Sequence, residues 1–199
     1  MPPMTATTSA VERLPYTGDD AADRLLASDP LALLIGFALD QQVTVQKAFS
    51  GPAELKRRIG HLDPARIAAT APSELESVFR QRPALHRFPG AMAGRVRGLC
   101  AFVATEYGGH AERIWTEAAD GPDLRRRLLA VPSIGEMKAS TLTAILVKRF
   151  GLQLPGLDAV TPRHPTLGDV DSPEALATYQ AGKRAYKAAM RAAGGGRAG

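Results

Sequence analysis

DLRRRLLAVPSIGEMKASTLTAILVKRF, residues 123–150, holds two apolar helical runs joined by a very short connection. Pro132 cannot continue the first helix, because its ring fixes φ and its nitrogen carries no hydrogen. Gly135 tolerates positive φ, so we expect it to complete a sharp reversal. The second run repeats apolar residues at helical spacing, which predicts an amphipathic helix. These residues are Met137, Ala139, Leu142, Ile145, Leu146 and Phe150. The first N–H groups of that helix have no intrahelical partner and carry partial positive charge, so they suit a phosphate oxygen.

Length and composition are those of one globular domain. The chain has 199 residues, of which 45% are hydrophobic and 23% charged, so it can bury a sizeable core. No run of roughly 18 apolar residues occurs, so we expect no transmembrane helix. The N-terminus lacks the basic and apolar regions of a secretory signal. The single cysteine, Cys100, excludes internal disulfides and favours the cytoplasm.

Positive charge is concentrated in two tracts. The net charge is +5, and from Ala175 onward the chain has five basic residues and no acidic one. The remainder carries 20 residues of each sign. Residues 80–100 hold five arginines, Arg95 and Arg97 among them, and no acid. Such tracts suit a polyanion such as DNA, although solvated surface explains any single tract as well.

Helical patterns follow one another without persistent strand-like alternation, so the sequence predicts a mainly α fold. The predicted domain covers residues 11–193, between a flexible leader, 1–10, and a flexible glycine-rich tail, 194–199. One long helix is expected over residues 31–49, begun by Asp29 as N-cap and ended by Gly51-Pro52. The other predicted helices are 19–27, 53–59, 64–69, 72–80, 92–107 and 173–193, with Asp63, Ser73 and Ser172 as caps.

The connection between the two runs resembles the helix-hairpin-helix of the HhH-GPD superfamily of DNA-repair glycosylases. The family motif reads roughly L-P-G-hydrophobic-G-x-x-x-A, and residues 129–139, LAVPSIGEMKA, follow it with Ser133 in place of the first glycine. The hairpin tolerates this serine if the position needs no positive φ. The resemblance implies a bilobal helical fold whose hairpin contacts DNA. The contacting residues would be Ser133, Ile134, Gly135, Met137 and Lys138; the alternative is an ordinary helical hairpin in an all-α protein.

Two earlier segments are similar to the same family in the same order. Residues 34–44, LIGFALDQQVT, resemble an I-L-x-Q-Q-hydrophobic-S/T segment whose glutamine fills the space left by a flipped base, and Gln42 matches it. Gln42 follows Ala38 by four residues and so falls near the apolar stripe, where an amide without partners costs roughly 1–3 kcal/mol. We therefore expect it to line a cleft or to bond backbone at the core edge. Residues 93–99, AGRVRGL, resemble a K-A-x-x-I/L-x-x-L segment.

A catalytic aspartate follows the hairpin by about twenty residues in that family, which implies Asp158 here. A carboxylate suits the reaction because it stabilises positive charge on the sugar as the base departs. The local sequence, GLDAV, differs from the family's V-D-T/V-H/N, so Asp158 could instead cap a short helix. Asp169 and Asp171 are the further candidates.

Relatives that also cut the strand carry a lysine two residues after the last hairpin glycine, where this chain has Met137. Lys138 is turned away from that position by about 100°. We therefore expect a monofunctional enzyme and a solvated or phosphate-facing Lys138.

One cysteine cannot hold the iron–sulfur cluster of many relatives, and the histidines are scattered, so no cofactor or metal is expected. Four aromatic residues could stack on an extruded base or belong to the core: Phe37, Phe88, Tyr107 and Trp115.

The last predicted helix carries Lys183, Arg184 and Lys187, which can follow phosphates or form a solvated face.

Together these features lead us to expect a monomeric, cytoplasmic and nucleoid-associated DNA N-glycosylase of base excision repair, acting on double-stranded DNA. Two alternatives stay open. One is a non-catalytic DNA-binding protein of the same fold, and the other is an all-α protein-interaction domain.

Overall fold

A computed structural model describes residues 11–194, and these residues form helices and no β-strand. The predicted mainly α class is therefore confirmed. Two short 3-10 helices, Leu157–Ala159 and Leu167–Asp169, accompany the α-helices of this range. The α-helices are α1 (Asp20–Ser28), α2 (Pro30–Leu39), α3 (Val45–Ile59), α4 (Pro64–Ala69), α5 (Pro72–Arg80), α6 (Pro89–Tyr107), α7 (Arg113–Thr116), α8 (Gly121–Ala130), α9 (Glu136–Lys148) and α10 (Pro173–Gly194). The predicted leader, 1–10, and residues 195–199 of the predicted tail lie outside the described residues.

Several helix starts follow from capping side chains, as predicted. The Asp29 carboxylate accepts the N–H groups of Leu31 and Ala32 at 2.9 and 3.3 Å, and Pro30 occupies the first helical position of α2. Asp63 caps α4 in the same way, and the Ser172 hydroxyl accepts the N–H of Ala175 at the start of α10. Each cap satisfies backbone donors that have no partner within the helix. The predicted cap Ser73 is wrong, since it lies inside α5.

The single helix predicted for residues 31–49 is wrong, because the chain breaks between Leu39 and Val45. Thr44 caps α3 through a hydrogen bond from the N–H of Lys47, at 3.2 Å, so a new helix starts there. The predicted end at Gly51-Pro52 is also wrong, since both residues lie within α3. Gly51 is required by packing, because a Cβ at this position would collide with the Leu39 side chain.

The most apolar helix, α2, is the centre of the fold, and every residue from Leu31 to Leu39 is buried. It packs against α1, α3 and α6, while α4 and α5 cover α6. One continuous cluster of buried side chains runs from Leu14 to Leu176 and includes residues of α8 and α9. Within residues 11–194, no helix is long and apolar enough to cross a membrane.

Contacts between distant parts of the sequence hold the C-terminal segments in place. The hydroxyl of Tyr16 donates to the carbonyl of Leu167 at 2.7 Å, inside the core. Gln46 of α3 and Gln180 of α10 exchange two side-chain hydrogen bonds, at 3.2 and 2.8 Å. These bonds fix the first half of α10 on α3, whereas residues 181–193 of the same helix are all exposed.

Candidate nucleic-acid interface

The connection between α8 and α9 is a five-residue turn anchored by two buried side chains, Val131 and Ile134. The N–H of Ile134 donates to the carbonyl of Val131 at 3.1 Å, which closes the turn. Ser133 adopts the left-handed conformation, with φ of 70°. Gly135 has φ of −94° and ψ of −176°, an extended conformation open to any residue. The expectation that Gly135 completes the reversal with positive φ is therefore wrong, and Ser133 does so at a conformational cost.

The N-terminus of α9 is open to solvent. Gly135 precedes the first residue of the helix, and no side chain of the described residues caps the first N–H groups. A Cβ at Gly135 would meet no atom within 4 Å, so the fold itself does not require glycine here. Glu136 would repel an anion, but its carboxylate is paired with the Arg125 guanidinium at 2.6 Å. The turn therefore presents backbone donors that a phosphate could approach closely.

Met137 does not belong to the buried stripe of α9, since 82% of it is exposed. The predicted apolar role of this residue is therefore wrong. Ala139, Leu142 and Ile145 do face the core, as predicted. A large apolar side chain thus stands in solvent two residues after Gly135, beside the open N–H groups.

The residues between α2 and α3 form an irregular loop, 40–44, that carries Gln42 at its surface. Gln42 is exposed, so the predicted burial of its amide near the apolar stripe is wrong. Its φ is 54°, a left-handed conformation that costs a non-glycine residue on the order of 1–3 kcal/mol. Residues in such conformations are concentrated at binding and catalytic sites, where the surrounding structure holds them.

Two contacts hold the helix ends on either side of this loop. His86 is buried, and its Nε2 lies 3.1 Å from the carbonyl oxygen of Leu39, while its Nδ1 accepts the N–H of Phe88 at 3.0 Å. These partners fix the neutral tautomer with hydrogen on Nε2, and burial lowers the pKa of the ring. Lys47 donates from Nζ to the carbonyl of Ala84 at 2.8 Å. The flanks of the loop 40–44, at Leu39 and Lys47, are thus attached to the segment that leads into α6.

Charged side chains of α6, α9 and α10 influence the pKa of Asp40, at the start of this loop, or that of Lys138. Asp40 interacts electrostatically with Lys138 of α9 and with two lysines of α10, and Lys138 also senses the charge of Arg95 on α6. We call this group the Asp40 cluster: Asp40, Arg95, Lys138, Lys183 and Lys187. Four of the predicted DNA-binding residues belong to this group, together with a carboxylate that sequence patterns did not single out.

Two other predicted DNA-binding residues lie apart from the Asp40 cluster. Arg97 is two residues from Arg95, about 200° around α6, and its Nε donates to the carbonyl of Thr70 at 3.1 Å. Arg184 is exposed on α10, about 100° around the helix from Lys183. The role of both residues in DNA binding stays a prediction.

The three candidate catalytic aspartates differ in their surroundings. Asp158 is exposed within the 3-10 helix Leu157–Ala159, whose N-cap is Gly156, so it does not cap that helix. Asp169 is structural, because it accepts from Thr166 in a capping box and pairs with Lys148 at 2.6 Å. Asp171 is exposed and lines a cavity of about 580 Å³.

Asp158 lies next to the hairpin along the chain and in space. Gly121, at the start of α8, donates its N–H to the carbonyl of Pro155 at 2.8 Å, which holds the segment before Asp158 against the hairpin. The two residues that follow Asp158 line a cavity of about 170 Å³ with residues of both hairpin helices. That lining is Arg125, Glu136, Ser140, Thr143, Ala159 and Val160.

Of the four aromatic candidates for base stacking, Phe37 and Trp115 are buried in the core. Phe88 is 39% exposed, and the guanidinium of Arg87 lies 4.8 Å from the centre of its ring. Cys100 is fully buried, and burial raises the pKa of its thiol to about 12. Within residues 11–194, no group of three or more histidine, cysteine or acidic side chains could hold a metal ion.

Sequence and structure comparisons do not extend these observations. No protein-family model, no curated protein and no solved structure matches the chain at a significant level.

Proposed function

We propose that this protein is a DNA N-glycosylase of base excision repair that binds double-stranded DNA through the α8–α9 turn. The observation that carries the proposal is the open N-terminus of α9. Gly135 leaves the first N–H groups accessible there, although the packing of the fold does not require glycine at this position. Partial positive charge at a helix N-terminus, with free N–H donors, is suited to a phosphate oxygen. The HhH-GPD resemblance of the same residues supports the glycosylase assignment.

Access to a base within duplex DNA requires that the base leave the helical stack. Gln42 is suited to fill the vacated space, because it is an exposed amide in a left-handed conformation on a short loop between two helices. An amide offers both a donor and an acceptor to the bases that remain. Phe88 is the exposed aromatic candidate for contact with the extruded base.

Asp158 supplies the carboxylate in the proposed reaction. As the bond between C1′ of the sugar and the base nitrogen breaks, the carboxylate stabilises positive charge on the sugar. A water molecule then forms the new C1′–O bond, and its proton ends on the departing base. Met137 occupies the position where strand-cutting relatives carry lysine, which supports a monofunctional enzyme that leaves an abasic site.

A second candidate is a non-catalytic DNA-binding protein with the same hairpin. The exposure of Asp158 favours this reading, because a carboxylate that handles a desolvated base is more often enclosed. Asp171, on the wall of the larger cavity, is the alternative carboxylate for catalysis.

The decisive test is base release from duplexes that contain uracil, hypoxanthine, alkylated purines or 8-oxoguanine, with abasic sites revealed by alkali. Asp158→Asn is compared with the matched control Asp171→Asn. We expect the first variant to lose release by at least about 100-fold, since one electrostatic group contributes that much to rate. Loss in the control alone would move catalysis to Asp171. No release by the wild type, together with DNA binding, would favour the non-catalytic candidate.

Binding through the turn is tested separately with Gly135→Leu, which places a side chain over the N–H groups. Gly98→Leu is the matched control, since Gly98 is also exposed and has open space around it, but lies on α6. We expect weaker duplex binding for the first variant alone. Equal affinity of a folded Gly135→Leu protein would refute binding through the turn, and no duplex binding at low salt would favour a protein-interaction domain.

A further inference from the structure

The cavity of about 580 Å³ that Asp171 lines is enclosed by parts of the chain that are distant in sequence. Its walls are the segment that precedes α1, α1 itself, the residue after α9 and the residues that open α10. Two hydrogen bonds hold the first wall in place. The N–H of Leu14 donates to the carbonyl of Asp23 at 3.0 Å, and the hydroxyl of Tyr16 donates to the carbonyl of Leu167 at 2.7 Å. The volume of this cavity is within the range of sites that hold small organic molecules.

Asp23 supplies a buried carboxylate to this cavity, since only 5% of the residue is exposed. Its Oδ1 accepts the N–H groups of Tyr16 and Thr17 at 3.1 and 2.9 Å, and the Thr17 hydroxyl at 2.7 Å. Its Oδ2 receives no hydrogen bond from the described residues, yet protein atoms do not enclose it. A protected carboxylate oxygen with no donor favours a ligand that brings one, and a cationic donor most of all.

Arg149, the residue after α9, supplies a cation to the same cavity. Its guanidinium forms no hydrogen bond or ion pair with the described residues, and its Nε is enclosed by the protein without an acceptor. Lys148 rather than Arg149 pairs with Asp169, at 2.6 Å. The Arg149 side chain is partly exposed, so its terminal nitrogens are the atoms that a ligand can reach. These nitrogens form a fork that matches the two oxygens of a carboxylate.

Two exposed acids leave the cavity with an excess of negative charge. Glu12 and Asp171 line it and form no ion pair with the described residues. A further acid of the lining, Asp20, is neutralised by Arg13 and Arg24, at 3.0 and 2.7 Å. No three of these acids are grouped closely enough to hold a metal ion. Three carboxylates and one guanidinium of the lining are thus without a charged partner, and their complement is an organic molecule with two cations and one carboxylate.

We propose that this cavity binds a free basic α-amino acid, such as lysine or arginine. The α-ammonium donates to Oδ2 of Asp23, the α-carboxylate accepts from Arg149, and the side-chain cation pairs with the exposed acids, Glu12 and Asp171. Glu136 of the α8–α9 turn and Arg149 are at opposite ends of α9, about 20 Å apart along the helix axis. The site is therefore separate from the proposed DNA-binding turn and does not rest on the proposed function.

The experiment is isothermal titration calorimetry at neutral pH and low salt, with four probes. Lysine is compared with cadaverine, which lacks the carboxylate, with Nα-acetyl-lysine, which lacks the α-ammonium, and with norleucine, which lacks the side-chain ammonium. We expect lysine to bind most tightly. Cadaverine and Nα-acetyl-lysine should bind about tenfold more weakly, since each loses a charged hydrogen bond, and norleucine about threefold, since it loses only an exposed ion pair. No binding of lysine at millimolar concentration, or equal affinity for Nα-acetyl-lysine, would overturn the proposal.

Arg149→Met separates a ligand-binding role of the arginine from a structural one. The variant should bind lysine about tenfold more weakly and cadaverine equally or more tightly, because cadaverine has no carboxylate and loses a repulsive charge. Arg66→Met on α4, an exposed arginine that does not line the cavity, is the matched control and should not change either affinity. Thermal unfolding verifies the fold of both variants. Equal weakening of lysine and cadaverine would mean that Arg149 only shapes the cavity, and would overturn its assignment to the carboxylate.

The acids are tested with Asp23→Asn, which keeps Oδ1 and removes the charge, and with Glu12→Gln. Asp23→Asn should weaken lysine and norleucine alike, by about tenfold, since both carry the α-ammonium. Glu12→Gln should weaken lysine about threefold and leave norleucine unchanged. Glu74→Gln on α5, an exposed acid outside the cavity, is the matched control. Unchanged lysine affinity of a folded Asp23→Asn protein would overturn the proposal, and if that variant does not fold, the comparison of lysine with cadaverine in Arg149→Met decides.

Discussion

Replacement of Ser133 by glycine should stabilise the protein, because the α8–α9 turn forces this residue into the left-handed region. Its φ is 70°, whereas the neighbouring Gly135 has an ordinary extended conformation. The chain thus has its glycine two residues away from the position that needs one. Ser133→Gly removes the contact between Cβ and the backbone that disfavours this conformation.

The expected gain follows from two opposing terms. The left-handed conformation costs a residue with a Cβ roughly 1–2 kcal/mol. Glycine in the unfolded chain has more conformational freedom, which lowers stability by about 0.4–1 kcal/mol. The midpoints of these two ranges differ by about 0.8 kcal/mol, a net stabilisation that raises Tm by about 2–3 °C for a protein of this size.

The assay is urea unfolding followed by far-ultraviolet circular dichroism, with thermal unfolding in parallel. Gly135→Ala is the control in the same turn. It should change stability little, because two effects cancel. Alanine lowers the conformational entropy of the unfolded chain, which stabilises the protein, but it is an unfavourable residue at the N-cap of a helix, which destabilises it. Duplex binding of Ser133→Gly should equal that of the wild type, since the turn keeps its shape.

A loss of stability in Ser133→Gly, with an unchanged urea dependence, would refute the reasoning. It would mean that the serine side chain contributes more to the turn than its conformation costs. Stabilisation by both Ser133→Gly and Gly135→Ala to the same extent would also refute it, because the effect would then not depend on φ.

Two further predictions concern packing around the interface. His86→Ala should cost about 2–3 kcal/mol through the loss of two hydrogen bonds and leave the Leu39 carbonyl without its partner, measured by urea unfolding. Burial lowers the pKa of His86 in the folded state, so the unfolded chain binds the proton more readily. The stability of the wild type should therefore be retained above about pH 6.5 and fall as the pH drops below that value. This pH dependence should be weaker in His86→Ala. Gly168→Ala should cost about 1–3 kcal/mol of stability, since its Cβ would lie 2.6 Å from the backbone carbon of Ala144 in α9. Gly94→Ala, on the exposed side of α6, should be neutral or stabilising. Equal effects of the two substitutions in thermal unfolding would contradict the close packing against α9.

Local signals in the sequence predicted much of the helical framework. The aspartate–proline and serine–proline starts at Asp29, Asp63 and Ser172 act within three residues, so they do not depend on the rest of the fold. The position of the hairpin is predictable for a similar reason, because Pro132 disfavours continuation of the helix that precedes it. The left-handed residue within the turn was misplaced, since glycine permits positive φ but does not require it.

Errors arose where tertiary packing decides between patterns that look alike. Val45 and Phe49 continue the apolar spacing of α2, so the pattern hid the break that the Thr44 cap creates. Met137 fits the stripe of α9, yet it lies where that helix emerges from the core. The electrostatic interaction between Asp40 and Lys138 could not be predicted, because the two residues are distant in sequence and only the tertiary fold relates them.

The exposed half of α10 has a consequence for the thermodynamics of binding. A helical stretch without tertiary contacts is marginal in water, and the like charges of Lys183 and Lys187, one turn apart, disfavour it further. Alanine-rich sequence and cations near the C-terminal end act in favour of the helix. Coil and helix are therefore close in free energy over residues 181–193, and a polyanion that neutralises the lysines shifts the balance toward helix. The helical order of residues 181–193 and the proposed binding of DNA are therefore linked, so heat that melts this segment should also weaken the binding.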